Sequence, residues 1–325
     1  MTTTDSEPSG KAEAGATKGQ RLDIESCQLC GQTEFTEMFR DEPYSVRICK
    51  DCGFVYVTPR LDDEALKEVY GATYWESDKP REQGYANYAA DADLYLKTFR
   101  RRARLVERFL PGYGNRSARI LDVGCAAGFF LQVMHERGHD VRGCELSAAI
   151  ARHAVEVLGE ERVHVGFLHE VAGTERFPKG HFDLVTMWDV LEHVPDPQAL
   201  LHEVKEMLAP GGHLLLETQN VQSRFAKFVG KKWHHFKHEE HIYHFDPKTI
   251  RKILDDCGYE VVHQGPRFGG KFVSLGFIAE RAGRLHPALS TLLKPLELVR
   301  RANVYLNFRD EMIVVARPKN TAGPS

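Results

Sequence analysis

The sequence predicts an α/β fold, with a small cysteine-pinned unit ahead of it. Three observations carry that prediction. The run ILDVGCAAGFF, Ile120 to Phe130, places a buried strand, a small-residue turn and a helix start in one stretch. The run HDVRGCELS, His139 to Ser147, reads as the next strand and ends on an acid, Glu145. Two Cys-x-x-Cys pairs, Cys27/Cys30 and Cys49/Cys52, mark the separate N-terminal unit.

In the first run, Ile120, Leu121 and Val123 form the apolar strand, and Phe129 and Phe130 open the helix. Gly124 and Gly128 let the backbone approach a ligand closely, and the backbone N–H groups and positive helix end then face it. The spacing Gly124-x-x-x-Gly128 is not G-x-G-x-x-G, and no Walker-type lysine follows, which disfavours dinucleotides and triphosphates. Glu145 stands near the ~20-residue interval expected of a carboxylate that accepts hydrogen bonds from ribose hydroxyls.

These residues resemble class I S-adenosylmethionine-dependent methyltransferases. ILDVGCAAG is similar to their first motif, and GCELS to the end of their second strand. FDLVTMWDVLEHVPDP (Phe182–Pro197) resembles their fourth strand and following loop, and LAPGGHLLLET (Leu208–Thr218) their fifth strand. The resemblance covers Ser117 to about Pro266. It implies a Rossmann-like fold with the family's mostly parallel seven-stranded sheet, and S-adenosylmethionine as cofactor. By similarity Gly124, Cys125, Ala126 and Gly128 contact the methionine part, Glu145 the ribose, and Asp189 lies beside the cofactor. Asp122, Phe129, Leu146 and Trp188 complete the implied cofactor set. Where the family often carries an acidic or amide side chain near the adenine, this chain has Phe167, Leu168 and His169.

Composition fits an enzyme of this kind. The 325 residues are 42% hydrophobic, enough for a full domain core with appendages. Lys+Arg number 43 against 46 Asp+Glu, a balance that argues against an extended nucleic-acid footprint. No apolar stretch is long enough to span a bilayer, so stable membrane insertion is not expected. The opening MTTTDSEPSGKAEAGATKGQ lacks an apolar signal core; residues 1–21 are expected to be a disordered tail, and the protein cytoplasmic.

Four of the seven cysteines form the two pairs, at a separation expected of a two-knuckle zinc site. Gly31 and Gly53 follow the second cysteine of each pair, as suits a tight turn that aims both sulfurs at one ion. Redox dithiols and unligated turns are the alternatives. A closed four-thiolate shell would make the zinc structural, folding a ribbon over 22–60. Zinc ribbons also bind RNA, but here Arg40, Arg47, Lys50 and Arg60 are offset by Glu34, Glu37, Asp41, Glu42 and Asp51. Cys125, Cys144 and Cys257 read as packing residues.

Residues 61–115 turn helical. LDDEALKEVYG has helical apolar spacing, and ADLYLKTFRRRARLVERFL reads as an amphipathic helix with a basic face. Arg100, Arg101, Arg102 and Arg104 are expected on a solvated face, with a phosphate-bearing substrate as the sharper alternative. Tyr74, Tyr85 and Tyr88 are candidate pocket-lining residues by family resemblance, or ordinary packing. The cofactor domain is expected over 116–318, with a lid insertion at 222–246, a helical insertion at 270–308 serving as lid or dimer contact, and a tail at 319–325. Tyr259–Gly265 and Glu311–Pro318 read as the last strands.

The acceptor chemistry is expected in KKWHHFKHEEHIYHF, Lys231 to Phe245, which holds five histidines. Histidine is the side chain most readily poised as a base near neutral pH, and Glu240 beside His241 offers a carboxylate partner; His238 and Glu239 widen the set. Together with the cysteine pairs, HEEHIYHF resembles the zinc-containing sugar C-methyltransferases. That resemblance implies that His241 removes a proton next to a keto group, His238 standing where that family has tyrosine. A second constellation, Asp189, Glu192 and His193, could hold a divalent ion, as the similar segment of ubiquinone-type O-methyltransferases implies. The readings that follow are a small-molecule acceptor methylated on carbon, an oxygen-methylating alternative, and a non-catalytic binding scaffold.

Overall fold

The structure, a computed structural model, describes residues 21–62, 88–109, 117–279, 293 and 299–319. The cysteine-bearing part is strand-rich. β1 (Arg21–Leu22) pairs with β5 (Arg60–Leu61), while β2 (Phe35–Asp41), β3 (Tyr44–Cys49) and β4 (Val55–Thr58) form an antiparallel meander. Its β-branched and aromatic residues bury two faces. Val46, Val55 and Val57 pack with Val221, Ala226 and Trp233, whereas Phe54 and Tyr56 join the main core of the molecule.

The remainder alternates strands and helices. α1 (Tyr88–Phe109) leads into β6 (Arg119–Val123), α2 (Phe129–Glu136), β7 (Asp140–Glu145), α3 (Ala148–Leu158) and β8 (Val163–Val165). After the short α4 (Leu168–Val171) come β9 (Phe182–Trp188), α5 (Pro197–Met207), β10 (Leu208–Gln219) and α6 (Arg224–Val229). β11 (Tyr243–His244), α7 (Thr249–Asp256), β12 (Tyr259–Gly265), β13 (Lys271–Ser274), β14 (Asn303–Leu306) and β15 (Glu311–Pro318) complete the chain. The seven-stranded sheet runs β12-β15-β10-β9-β6-β7-β8, with only β15 reversed, so the expected mostly parallel Rossmann-like architecture is present.

Near-continuous apolar runs in β6, β9 and β10 fit strands covered on both faces, and Leu121, Leu184, Val185, Leu214, Leu215 and Leu216 are fully buried. Asp196 caps α5 by accepting the Ala199 N–H at 2.9 Å, with Pro197 in the first turn. Strand order reverses between β6 and β9, and the crevice beyond their carboxyl ends is where such sheets bind ligands.

Two expectations change. The 270–308 insertion, read as helical, has strands at its ends: Lys271–Ser274 pairs with Asn303–Leu306, because Phe272 and Val273 opposite Val304 and Tyr305 form a β-type ladder. The basic face of α1 is not uniformly solvated: Arg100 and Arg104 are exposed, but Arg102 is buried. Residues 1–20, 63–87, 110–116, 280–292, 294–298 and 320–325 lie outside the described residues, with Tyr74 and Tyr85 among them; the side chain of Tyr88 does too. Among the described residues no helix is long and apolar enough to cross a membrane.

Gly128 ends the turn after β6 at φ +77°, and a Cβ there would lie 2.7 Å from the Ala154 Cβ and 3.1 Å from its Cα. Gly128→Ala is therefore expected to cost about 2 kcal/mol, from left-handed backbone strain and overpacking against α3. Urea unfolding checks this, and an unshifted midpoint would contradict it.

Candidate functional site

The turn after β6 is held from β7. The N–H groups of Gly124 and Cys125 both donate to the Cys144 carbonyl, at 2.9 and 3.0 Å. Glu145 receives the Ala126 N–H on Oε2 at 3.0 Å and the Ser147 N–H on Oε1 at 2.9 Å. Burial raises its pKa, and those backbone donors oppose the shift. Ala126 at φ +48° and Asp189 at φ +54° are two of only three described non-glycine residues with left-handed backbone, and both sit at this crevice. Strain of that kind persists where the surroundings over-determine the conformation, and it clusters at ligand sites.

The predicted cofactor residues divide into two layers. Gly124, Ala126, Glu145 and Leu146 are partly exposed at the strand ends. Asp122 lies beneath them, 1% exposed, accepting the Thr186 hydroxyl at 2.6 Å; burial pushes its carboxyl up to about 8. Cys125 is buried in the core, and Phe129 stacks on Tyr95 at 5.2 Å. Phe167 and His169 stack on each other at 5.2 Å beyond β8. Trp188 packs edge-on to Phe99 under the Arg102 guanidinium, which lies 4.9 Å from its ring. The Trp188 indole N–H and Asp189 Oδ1 are buried without a hydrogen-bond partner.

On the far side of Asp189 is a charged group that local pattern did not reveal. Lys271 on β13 reaches Asp189 Oδ2 at 3.0 Å and Glu311 Oε1 at 2.9 Å. Burial works against the Lys271 charge, but the two carboxylates hold its pKa well above the ordinary range. Glu217 at the end of β10 is fully buried and pairs with Arg102 from α1.

The histidines converge next to this group. A 3-10 turn (Leu191–His193) follows β9. The His193 Nδ1 lies 2.9 Å from the Glu240 carbonyl, which can only accept, so Nδ1 carries the proton and Nε2 the lone pair. The His193 and His241 rings meet edge-on at 4.6 Å. Burial is the first cause that lowers both pKa values, that of His193 to about 4. Glu192 is fully buried and accepts the Thr218 hydroxyl at 3.0 Å; burial and the Asp189 charge push its carboxyl up.

The expected Glu240–His241 pair is not formed through the carboxylate, which reaches Lys237 at 3.2 Å. His238 turns to the ribbon, 3.4 Å from Asp41, and stands apart from the His193–His241 contact. Ligating atoms of Glu192, His193 and His241 lie within 4.8 Å of one another, so His241 joins that cluster, while Asp189 is engaged with Lys271.

Cys27, Cys30, Cys49 and Cys52 also bring their sulfurs within 4.8 Å, with Cys27–Cys52 at 3.6 Å and Cys30–Cys49 at 3.5 Å. A tetrahedral zinc with sulfurs at 2.3 Å requires edges of about 3.8 Å, so the four residues fit the ion.

A methyltransferase-domain family profile matches residues 94–264, just over half of the chain. The chain is 38% identical over 120 residues to a ubiquinone biosynthesis O-methyltransferase of Alkalilimnicola ehrlichii, covering 36% of this chain and 47% of that one. A protein of the same name from Xanthomonas campestris is 30% identical over 179 residues, 50% of this chain and 68% of its own. The chain spans about half the length of the first of these relatives. Among solved structures, a chain of the Haloferax volcanii complex between the Trm112 methyltransferase activator and a methyltransferase superposes with TM-score 0.50 at 14% identity, covering 78% of this chain and 98% of that one. That likeness concerns the fold alone.

Proposed function

Because the chain belongs to the methyltransferase-domain family, we propose that it transfers a methyl group from S-adenosylmethionine to an oxygen of a small phenol-type acceptor. Bound S-adenosylmethionine would supply an electrophilic methyl on a sulfonium. Gly124, Ala126 and Gly128 would cradle its methionine part, Glu145 would accept from the ribose hydroxyls, and the partnerless Trp188 N–H and Asp189 Oδ1 would face it. The ribbon cysteines would hold a structural zinc.

The carrying observation is the His193–His241 contact next to Asp189. Both imidazoles are kept in the neutral, proton-accepting form by burial. A base held so low is fully available but weak, which suits a phenol, with a pKa near about 10, better than the far less acidic carbon beside a ketone. The names of the relatives also favour oxygen. The expected keto-sugar carbon methylation therefore gives way to the oxygen alternative. The remaining task of the protein is to align acceptor oxygen, methyl and sulfur and to exclude water.

A panel of catechols and phenols set against nucleotide-linked keto sugars tests this, read as S-adenosylhomocysteine release and methylated product. Methyl ethers are expected; turnover with the keto sugars alone overturns the reading. His241→Ala is expected to lower turnover about a hundredfold with cofactor affinity unchanged, the size typical of losing a positioned base. Undiminished turnover would remove His241 from that role.

A second reading has its own support. Glu192 Oε1 and His241 Nδ1 are buried without partners beside His193, and together these residues would suit a divalent transition-metal ion. Dependence of turnover on added divalent metal, at constant ribbon zinc, separates the two.

A further inference from the structure

We propose that the cysteine ribbon is a positioning element for the acceptor histidines: the ion held by Cys27, Cys30, Cys49 and Cys52 fixes β4, and β4 fixes the segment bearing His241. This rests on the zinc and acceptor-site readings above.

β11 begins two residues after His241, and it pairs with the ribbon. The second sheet runs β11-β4-β3-β2, with Tyr243 opposite Tyr56 and His244 opposite Val55. The Val57 N–H donates to the Ile242 carbonyl at 3.0 Å, and on the other side the Ile242 N–H donates to the Glu192 carbonyl at 3.1 Å. Ile242 thus bridges the ribbon to the turn that carries His193.

Side chains repeat the connection. Phe54, whose carbonyl accepts the Cys49 N–H at 2.9 Å, lies 5.2 Å from the rings of both Tyr243 and Phe245. Cys27, Leu29 and Cys49 share one core with Leu191, Ile242 and Tyr243. Upstream of His241, the Tyr44 hydroxyl donates to Glu239 at 2.7 Å, and Phe39 packs on Phe236 at 4.8 Å. Arg60 donates to the Pro195 carbonyl at 3.1 Å and to the Tyr243 hydroxyl at 3.2 Å, clamping both histidine segments at once.

The cofactor turn takes its support from Cys144 and Glu145 on β7 instead. Loss of the ion therefore loosens the acceptor wall before the cofactor site. The ion would tie the Cys27–Cys30 turn to the Cys49–Cys52 turn that leads into β4, so its loss loosens the start of β4, where Phe54 packs on Tyr243 and Val55 pairs with His244.

The test uses the full chain, and hydrogen exchange at residues 191–195 and 241–245 is its main readout. Zinc removal, by chelation or by Cys27→Ser with Cys30→Ser, is expected to speed exchange there about tenfold or more. S-adenosylmethionine affinity, by calorimetry, is expected to stay within about twofold. Unchanged exchange after metal loss overturns the proposal, as does collapse of cofactor binding in parallel. Val57→Pro deletes the donor to Ile242 and leaves the cysteines in place. It is expected to keep the zinc and cofactor affinity of the parent while losing the same protection. Intact protection in this variant overturns the coupling even if the ribbon proves to hold no zinc, which separates its failure from that of the zinc reading.

Discussion

Glu145→Ala is expected to weaken S-adenosylmethionine binding about a thousandfold, the largest effect on the cofactor site from one side chain. A carboxylate accepting from two ribose hydroxyls makes charge-assisted bonds of about 2 kcal/mol each, and about 4 kcal/mol is roughly three decades in affinity. The same carboxylate receives the Ala126 and Ser147 N–H groups, so truncation also frees a turn whose Ala126 sits at φ +48°. Glu145→Gln keeps an acceptor oxygen but loses the charge and one acceptor position, and a smaller loss is expected. Calorimetry with the cofactor decides the matter: parental affinity in Glu145→Ala would remove this residue from the ribose role.

Arg102→Met is expected to destabilise the fold by about 3–5 kcal/mol at neutral pH, the usual consequence of removing one partner from a buried ion pair. Arg102 is 2% exposed and Glu217 is fully buried. Methionine retains much of the volume against Trp188 and Phe99, so the loss is electrostatic more than steric. Glu217 is pushed up by burial, Arg102 opposes that, and Asp189 and Glu311 add to it. Without Arg102 the carboxyl must stay protonated to remain inside, so its folded pKa lies further above the unfolded value. The deficit relative to the parent is then at least as great at pH 8 as at pH 5: it grows only once the pH passes the parent's own raised Glu217 pKa, where the parent carboxyl ionises beside Arg102 and the variant's stays protonated. Urea midpoints at both pH values check the sign, and Arg102→Met with Glu217→Gln should recover most of the loss. Equal stability of Arg102→Met and parent would show that the pair contributes nothing.

Much of this was legible locally. The strand and turn around Gly124 and Gly128, the acid closing β7 and the four-cysteine cluster each lie within short segments whose spacing reflects backbone geometry. What could not be read was which distant groups meet. Arg102 looked like one more cation on a helix face, and its burial depends on Glu217, 115 residues away. Glu240 beside His241 suggested a pair, yet the Glu240 carboxylate turned to Lys237, and His193, on another loop, became the neighbouring ring. Lys271 and Glu311 gave no signal at all, since they acquire their environment from each other and from distant groups, Asp189 beside Lys271 and His235 beside Glu311.

Periodicity, glycine placement and cysteine spacing are properties of neighbours along the chain, and they are enough to establish alternating strands and helices, a glycine-bearing turn and two cysteine pairs with metal-site spacing. The His193–His241 cluster and the charges around Asp189 are another matter. These charges and imidazoles are arranged by ladder pairing between β4 and β11 and by contacts across the β6–β9 crevice. Such long-range pairings are chosen by the burial of the whole core, and no local pattern carries them.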